Sequence, residues 1–191
     1  MTWLARLILK MGGWKDTIGA PPKDIKKAVI IAAPHTSNWD FVYMICFAKV
    51  FGLKLNWMGK HTLFSPPLGW LMRLLGGVPI DRRKPGGMVA QMAEQFQNRE
   101  VFMLAIPPEG TRKYVDKWKS GFYVIAKEAN VPILPSVLDF GTREGGFAPP
   151  LYPSDDVKAD MDVLREVYKG RVGLYPEKTG KVYISLEEKQ D

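Results

Sequence analysis

The chain has one cysteine, Cys46, and only two histidines, His35 and His61, in 191 residues. One thiol cannot close an intrachain bridge, so a disulfide-stapled fold is excluded and a reducing or redox-indifferent compartment fits. Three such side chains are too few for a Cys/His zinc cluster, and no metal or cofactor is expected. No stretch reaches the ~18–20 apolar residues that a membrane-crossing helix requires. Residues 41–53 come nearest, but they are too few and include Lys49. A G-x-S-x-G sequence is absent, and with it the usual serine-hydrolase turn. There is no repeat, no low-complexity tract and no evident linker. What is present is ordinary globular composition, 46% hydrophobic and 25% charged, which argues against disorder. The length suits one domain.

Charge is the first positive signal. Lys and Arg number 27 against 20 Asp and Glu, a net charge of +7. Residues 1–100 carry 14 basic and 6 acidic groups, and residues 101–191 carry 13 and 14, so the excess lies in the first half. An anionic partner is favoured: a membrane surface, a phosphorylated substrate or nucleic acid. Nucleic acid is the weakest of these, because the aromatics do not interleave with basic residues and no nucleic-acid motif occurs. Residues 1–27 are expected to form an amphipathic helix and a lead-in. Leu4, Leu7, Ile8 and Met11 make a helical stripe flanked by Trp3, Trp14, Arg6, Lys10 and Lys15. The stripe is too short, too charged and without a cleavage site to be a signal peptide. It suits either packing on the domain or lying in the plane of a membrane. Peripheral attachment at the cytoplasmic face follows from the second choice.

Residues 28–191 read as alternating short apolar runs and amphipathic stretches. Strands are expected at Ala28–Ala33, Lys54–Met58, Val101–Ile106, Ile133–Leu138 and Val182–Leu186. Helices are expected at 38–51, 67–75, 88–98, 121–129 and 158–169. The alternation predicts a single α/β domain with a mixed, largely parallel sheet flanked by helices. In such sheets, sites gather at loops beyond the strand ends.

Four segments put polar groups at those ends. In Pro34-His35-Thr36-Ser37-Asn38-Trp39-Asp40, the S-x-x-D spacing predicts Ser37 as a helix N-cap with Asp40 in the first turn. Inside one helix His35 and Asp40 would diverge by ~140°. With the helix starting at Ser37, His35 is free to fold back onto the Asp40 carboxylate. A carboxylate that accepts one ring N–H leaves the other nitrogen to take a proton. Gly76–Arg83 and Ile106–Arg112 each offer glycine and arginine, and Arg82 and Arg112 suit bidentate contact with a phosphate. Gly110 permits close backbone approach. In Val131–Pro135 the two prolines suit an edge or interrupted strand.

In this order, the segments resemble the glycerolipid acyltransferase family, whose best-known members are the PlsC-like bacterial 1-acylglycerol-3-phosphate acyltransferases. His35 and Asp40 match His-x4-Asp. Gly77 through Arg82 match the second motif, and Pro108-Glu109-Gly110-Thr111-Arg112 match Pro-Glu-Gly-Thr-Arg. Val131 through Pro135 match the fourth, and Trp118-Lys119-Ser120-Gly121 resemble the segment after the third. Pro34, Pro79 and Pro107 depart from the usual pattern, and the version here looks like a compact bacterial branch. The resemblance implies transfer of a fatty acyl group from acyl-CoA or acyl carrier protein to a lysophospholipid hydroxyl. It implies His35 as base, Asp40 as its orienter, and Arg82, Glu109, Gly110, Thr111 and Arg112 around the acceptor. Other readings are an acyltransferase acting on a different lipid acceptor, a basic peripheral lipid-binding module without catalysis, and a thioesterase.

Overall fold

The computed structural model describes residues 2–81, 83 and 87–189. In chain order the elements are α1 (Thr2–Met11), β1 (Lys15–Gly19), β2 (Lys27–Ala33), α2 (Trp39–Val50), β3 (Leu55–Lys60), α3 (Gly69–Leu74), β4 (Gly77–Ile80), α4 (Gly87–Gln97), β5 (Phe102–Ile106), α5 (Gly121–Glu128), β6 (Ile133–Asp139), β7 (Glu144–Phe147) and α6 (Val157–Tyr168). The strands make one sheet in the order β1-β7-β6-β2-β5-β3-β4. β6, β2, β5, β3 and β4 run parallel, and β7 is antiparallel to β6. The sheet is thus mixed and largely parallel, as the sequence predicts.

The centre of the sheet is apolar on both faces because helices cover both. Along β2, Val29, Ile31 and Ala33 join the side chains of α4, α5 and α6, among them Met92, Phe122 and Leu164. Ala28 and Ile30 point the other way, onto α1 and α2 with Leu9, Met44 and Phe47. Each of the Val, Ile, Leu, Phe and Met side chains among them, fully buried, contributes about 1.5–3 kcal/mol. The parallel run brings the C-terminal ends of β2, β5, β3 and β4 to one edge, and every candidate polar residue follows one of those ends.

Several expectations need correction. Val182–Leu186 is not a strand: only Ile184 bridges, to Trp118, before a 3-10 turn at Glu187–Lys189. β6 is neither an edge nor an interrupted strand despite Pro135, since it lies between β7 and β2. The Pro135 carbonyl accepts from Ala148 N–H. The missing donor therefore faces the stretch just past the end of β7, where no strand requires it. The lead-in also supplies an edge strand, β1, that pairs with β7 of the same sheet. In α1 the packed residues are Ala5 and Leu9, while Trp3, Leu4, Leu7 and Met11 are exposed. Of the two placements open to Trp14, packing on the domain holds: it is buried among Tyr43, Phe47 and Phe140. Among the described residues no helix is long and apolar enough to cross a membrane.

Candidate active site

β2 ends at Ala33, and the chain turns at once into the His35 loop before α2 begins at Trp39. The N-cap is Asn38, one residue later than the spacing of Ser37 and Asp40 suggests, and its side chain makes no capping bond. Ser37 Oγ instead accepts from Trp39 N–H at 2.8 Å. Asp40, in the first turn, reaches back over the loop. Its Oδ2 accepts from Thr36 N–H and Ser37 N–H, both at 2.7 Å. The same oxygen lies 3.1 Å from His35 Nδ1. Three donors on one oxygen fix the carboxylate, and bonds to an ionised acceptor are about twice as strong as neutral ones. Nδ1 thus carries the proton and Nε2 keeps its lone pair. His35 is 21% exposed and Asp40 6%. The ring reaches solvent while its partner does not.

β5 lies beside β2, with Ile31 opposite Ile106. Its C-terminal loop therefore runs next to His35. Glu109 accepts from His35 N–H through Oε1 at 3.0 Å. It was expected among the acceptor-binding groups, but it is 3% exposed and lines none of the cavities around His35. Buried beside the loop, it holds the His35 backbone. Burial pushes its carboxyl above the usual glutamate range, against the backbone donors that favour ionisation. Its Oε2 has no partner among the described residues. Tyr168 of α6 also lies under the site. Its hydroxyl donates to Ile31 and Ser136 carbonyls, and burial and then the nearby Glu109 raise its pKa far above normal.

The ends of this loop differ in character from Glu109. Gly110 takes φ +65°, a left-handed conformation that glycine adopts without strain, with the Lys119 side chain packed beside it. Thr111 and Arg112 reach the surface, and Arg112 Nη1 donates to Asn38 Oδ1, tying the two motif loops together. Arg82 lies outside the described residues. Its neighbour Asp81 is held by Arg83 in an exposed ion pair at 3.0 Å.

Two cavities meet at His35 and Pro107. One, of about 740 Å³, is polar and lined by Ser37, Asn38, Thr111, Arg112, Lys113 and Lys178 among others, with no carboxylate. The other, of about 210 Å³, is apolar, between α2 and the sheet, with Phe41, Met44, Trp57, Met58 and Leu138 on its walls. A site built this way can hold an anionic head on one side of an imidazole and a hydrocarbon chain on the other. Among the described residues no three His, Cys, Asp or Glu side chains converge as metal ligands. Sequence reasoning missed Asn38, Thr36, Tyr168 and Lys178. The first two sit inside the His35 segment, where their spacing could have pointed to them. The last two follow no motif and are recruited only by the fold.

The comparisons with known proteins identify the family. A probable 1-acyl-sn-glycerol-3-phosphate acyltransferase of Mycoplasma pneumoniae is 36% identical over 138 residues, covering 69% of this chain and 52% of its own. The 1-acyl-sn-glycerol-3-phosphate acyltransferase of Streptococcus pneumoniae is 35% identical over 107 residues, covering 56% and 39%. The chain spans about half the length, or less, of these relatives. In fold it is similar to the crystal structure of the 1-acyl-sn-glycerophosphate (LPA) acyltransferase PlsC from Thermotoga maritima. That match has a TM-score of 0.56 at 20% identity, over 90% of this chain and 79% of that one. The family model for Acyltransferase matches residues 17–139, which contain His35, Asp40 and Glu109 through Arg112 together, and on that match the chain belongs to the acyltransferase family.

Proposed function

We propose that this protein transfers a fatty acyl group from an acyl thioester, acyl-CoA or acyl carrier protein, to the hydroxyl of a lysophospholipid such as 1-acylglycerol 3-phosphate. The observation that carries the reading is His35, oriented by Asp40 at 3.1 Å, at the meeting point of an apolar pocket and a basic cleft. His35 Nε2 accepts the hydroxyl proton as the oxygen attacks the thioester carbon. Asp40 steadies the imidazolium that forms. When the tetrahedral intermediate collapses, the carbon–sulfur bond breaks and the thiolate leaves, taking the proton from His35. The route needs no covalent enzyme intermediate, metal or cofactor. Arg112 and Lys113 supply charge for the acceptor phosphate, and Thr111 and Gly110 shape that wall. The apolar pocket takes the acyl chain. The exposed Trp3, Leu4, Leu7 and Met11, beside Arg6 and Lys10, suit peripheral contact with an anionic membrane face.

The test is a panel of lysolipid acceptors offered with one acyl-CoA, with products resolved by mass. The expected result is an acceptor-dependent product one acyl chain heavier, largest for acceptors with a phosphomonoester. Thioester consumption at the same rate without acceptor, releasing free fatty acid, would overturn the reading in favour of a thioesterase.

A further inference from the structure

We infer that Lys178 is a second anion-binding point of the His35 cleft, holding a phosphate ester of one of the two substrates. The inference rests on the acyltransfer reading of that cleft and extends it to a part of the chain outside residues 17–139, where the family model ends.

The residues after α6 form a strap that returns to the His35 loop. It is pinned at its start, where Arg171 Nη1 donates to Asp139 Oδ2 at 3.1 Å and to Glu144 Oε2 at 3.0 Å. At Gly173 the backbone lies directly on Thr36: a Cβ there would sit 2.4 Å from its Cγ2 and Oγ1. Tyr175 N–H then donates to Thr36 Oγ1 at 3.3 Å, and Gly173 N–H to Thr179 Oγ1 at 3.1 Å. Lys178 N–H closes a turn onto the Tyr175 carbonyl at 2.9 Å. The wall of the cleft is therefore built on the residue next to His35.

Lys178 is placed by an aromatic ring. Its Nζ lies 3.9 Å from the centroid of Tyr175, and both residues line the cleft. A ring face restrains an ammonium without cancelling its charge, which a carboxylate would do. Among the described residues Lys178 has no ion pair, and the cleft it shares with Arg112 and Lys113 has no acidic lining residue. Background charge does not explain the lysine, because residues 101–191 carry 13 basic against 14 acidic groups. The cleft, at about 740 Å³, is also far roomier than one phosphate requires. The shared chemistry is a phosphate ester, and both the acceptor head and the phosphates of a coenzyme A donor supply it.

Binding without turnover tests this. Wild type, Lys178→Gln and Lys178→Arg are titrated by calorimetry with free coenzyme A, and separately with 1-acylglycerol 3-phosphate in neutral detergent micelles. Lys178→Gln is expected to weaken one of the two by about tenfold, with Arg restoring it. A loss confined to coenzyme A assigns the subsite to the donor, and one confined to the lysolipid assigns it to the acceptor. In turnover the loss should fall on the KM of that same substrate and leave kcat unchanged. Equal affinity of wild type and Lys178→Gln for both probes overturns the subsite alone. A wild-type protein that binds neither probe overturns the acyltransfer reading with it.

Discussion

The protein has two histidines, and both stand beside an aspartate at the C-terminal edge of the same sheet. His35 follows β2 and faces Asp40, while His61 follows β3 and faces Asp81 at the end of β4. In the first pair Nδ1 lies 3.1 Å from the carboxylate, with the aspartate 6% exposed. In the second the distance is 4.0 Å, too long for a hydrogen bond, with the aspartate 23% exposed. The carboxylates also keep different company. Asp40 is held by two backbone N–H groups, and among the described residues no Lys or Arg pairs with it. Asp81 is taken by Arg83, whose side-chain bonds hold its carboxyl well below the usual range. A carboxylate already satisfied by a guanidinium has little left with which to steer an imidazole. Both rings line a cavity, so what separates His35 from His61 is a carboxylate that, among the described residues, no Lys or Arg has already claimed.

The sharpest contrast comes from the histidines themselves. His35→Ala is expected to lower kcat by at least about 10²-fold, the usual contribution of a general base. His61→Ala should change it by no more than about twofold, since exposed ionic contacts contribute little. Turnover of acyl-CoA with a saturating lysolipid acceptor, with thermal unfolding as a control for folding, checks both. Comparable losses from the two substitutions would break the distinction between the pairs.

The two pairs were not equally legible in the sequence. His35 and Asp40 sit within six residues, so a local argument about a helix start suffices to bring them together. His61 and Asp81 are twenty apart and meet only because β3 and β4 pair with Lys60 opposite Ile80. The same rule covers the fold. The apolar runs of β2, β5 and β6 and the amphipathic helices α4 and α6 announce themselves by composition. β1 (Lys-Asp-Thr-Ile-Gly) and β7 (Glu-Gly-Gly-Phe) have no apolar alternation and are strands only because a neighbour offers them partners. Val182–Leu186 shows the converse, with strand composition but only a single bridge in place of a ladder. Glu109 was identified from its motif, but its burial and its bond to His35 N–H were not legible, because sequence carries no sign of which side chains face inward.

The aspartates give a smaller and more specific contrast. Asp40→Asn keeps one oxygen as an acceptor but removes the charge that stabilises the imidazolium and fixes the tautomer. It is expected to lower kcat by about 10²-fold with little change in the KM of the thioester. Asp81→Asn releases Arg83 and should leave kcat unchanged. A fall in kcat for Asp81→Asn as large as that for Asp40→Asn would mean that the second pair also serves the reaction.

The loops differ last in the group that supports each from below. Asp81 N–H donates to Gln91 Oε1 at 3.1 Å, and Gln91 Nε2 returns a bond to the Asp81 carbonyl at 2.8 Å. A neutral amide thus does for the second loop what Glu109 does for His35 N–H. Because burial raises the Glu109 carboxyl, the folded protein binds its proton more readily than the unfolded chain. Stability from this group is greatest below the ordinary glutamate value of 4.5 and is lost as pH rises from there through the folded value, after which it is flat. Glu109→Gln gives the first loop the neutral support of the second while keeping an oxygen for His35 N–H. Relative to wild type, its urea midpoint should therefore lack the decline that Glu109 contributes on the alkaline side of 4.5, and its kcat should fall by less than that of Asp40→Asn. A wild-type minus Glu109→Gln difference in midpoint that instead rises across that window would show that Glu109 is ionised and paired in the folded state, against the direction that burial gives it.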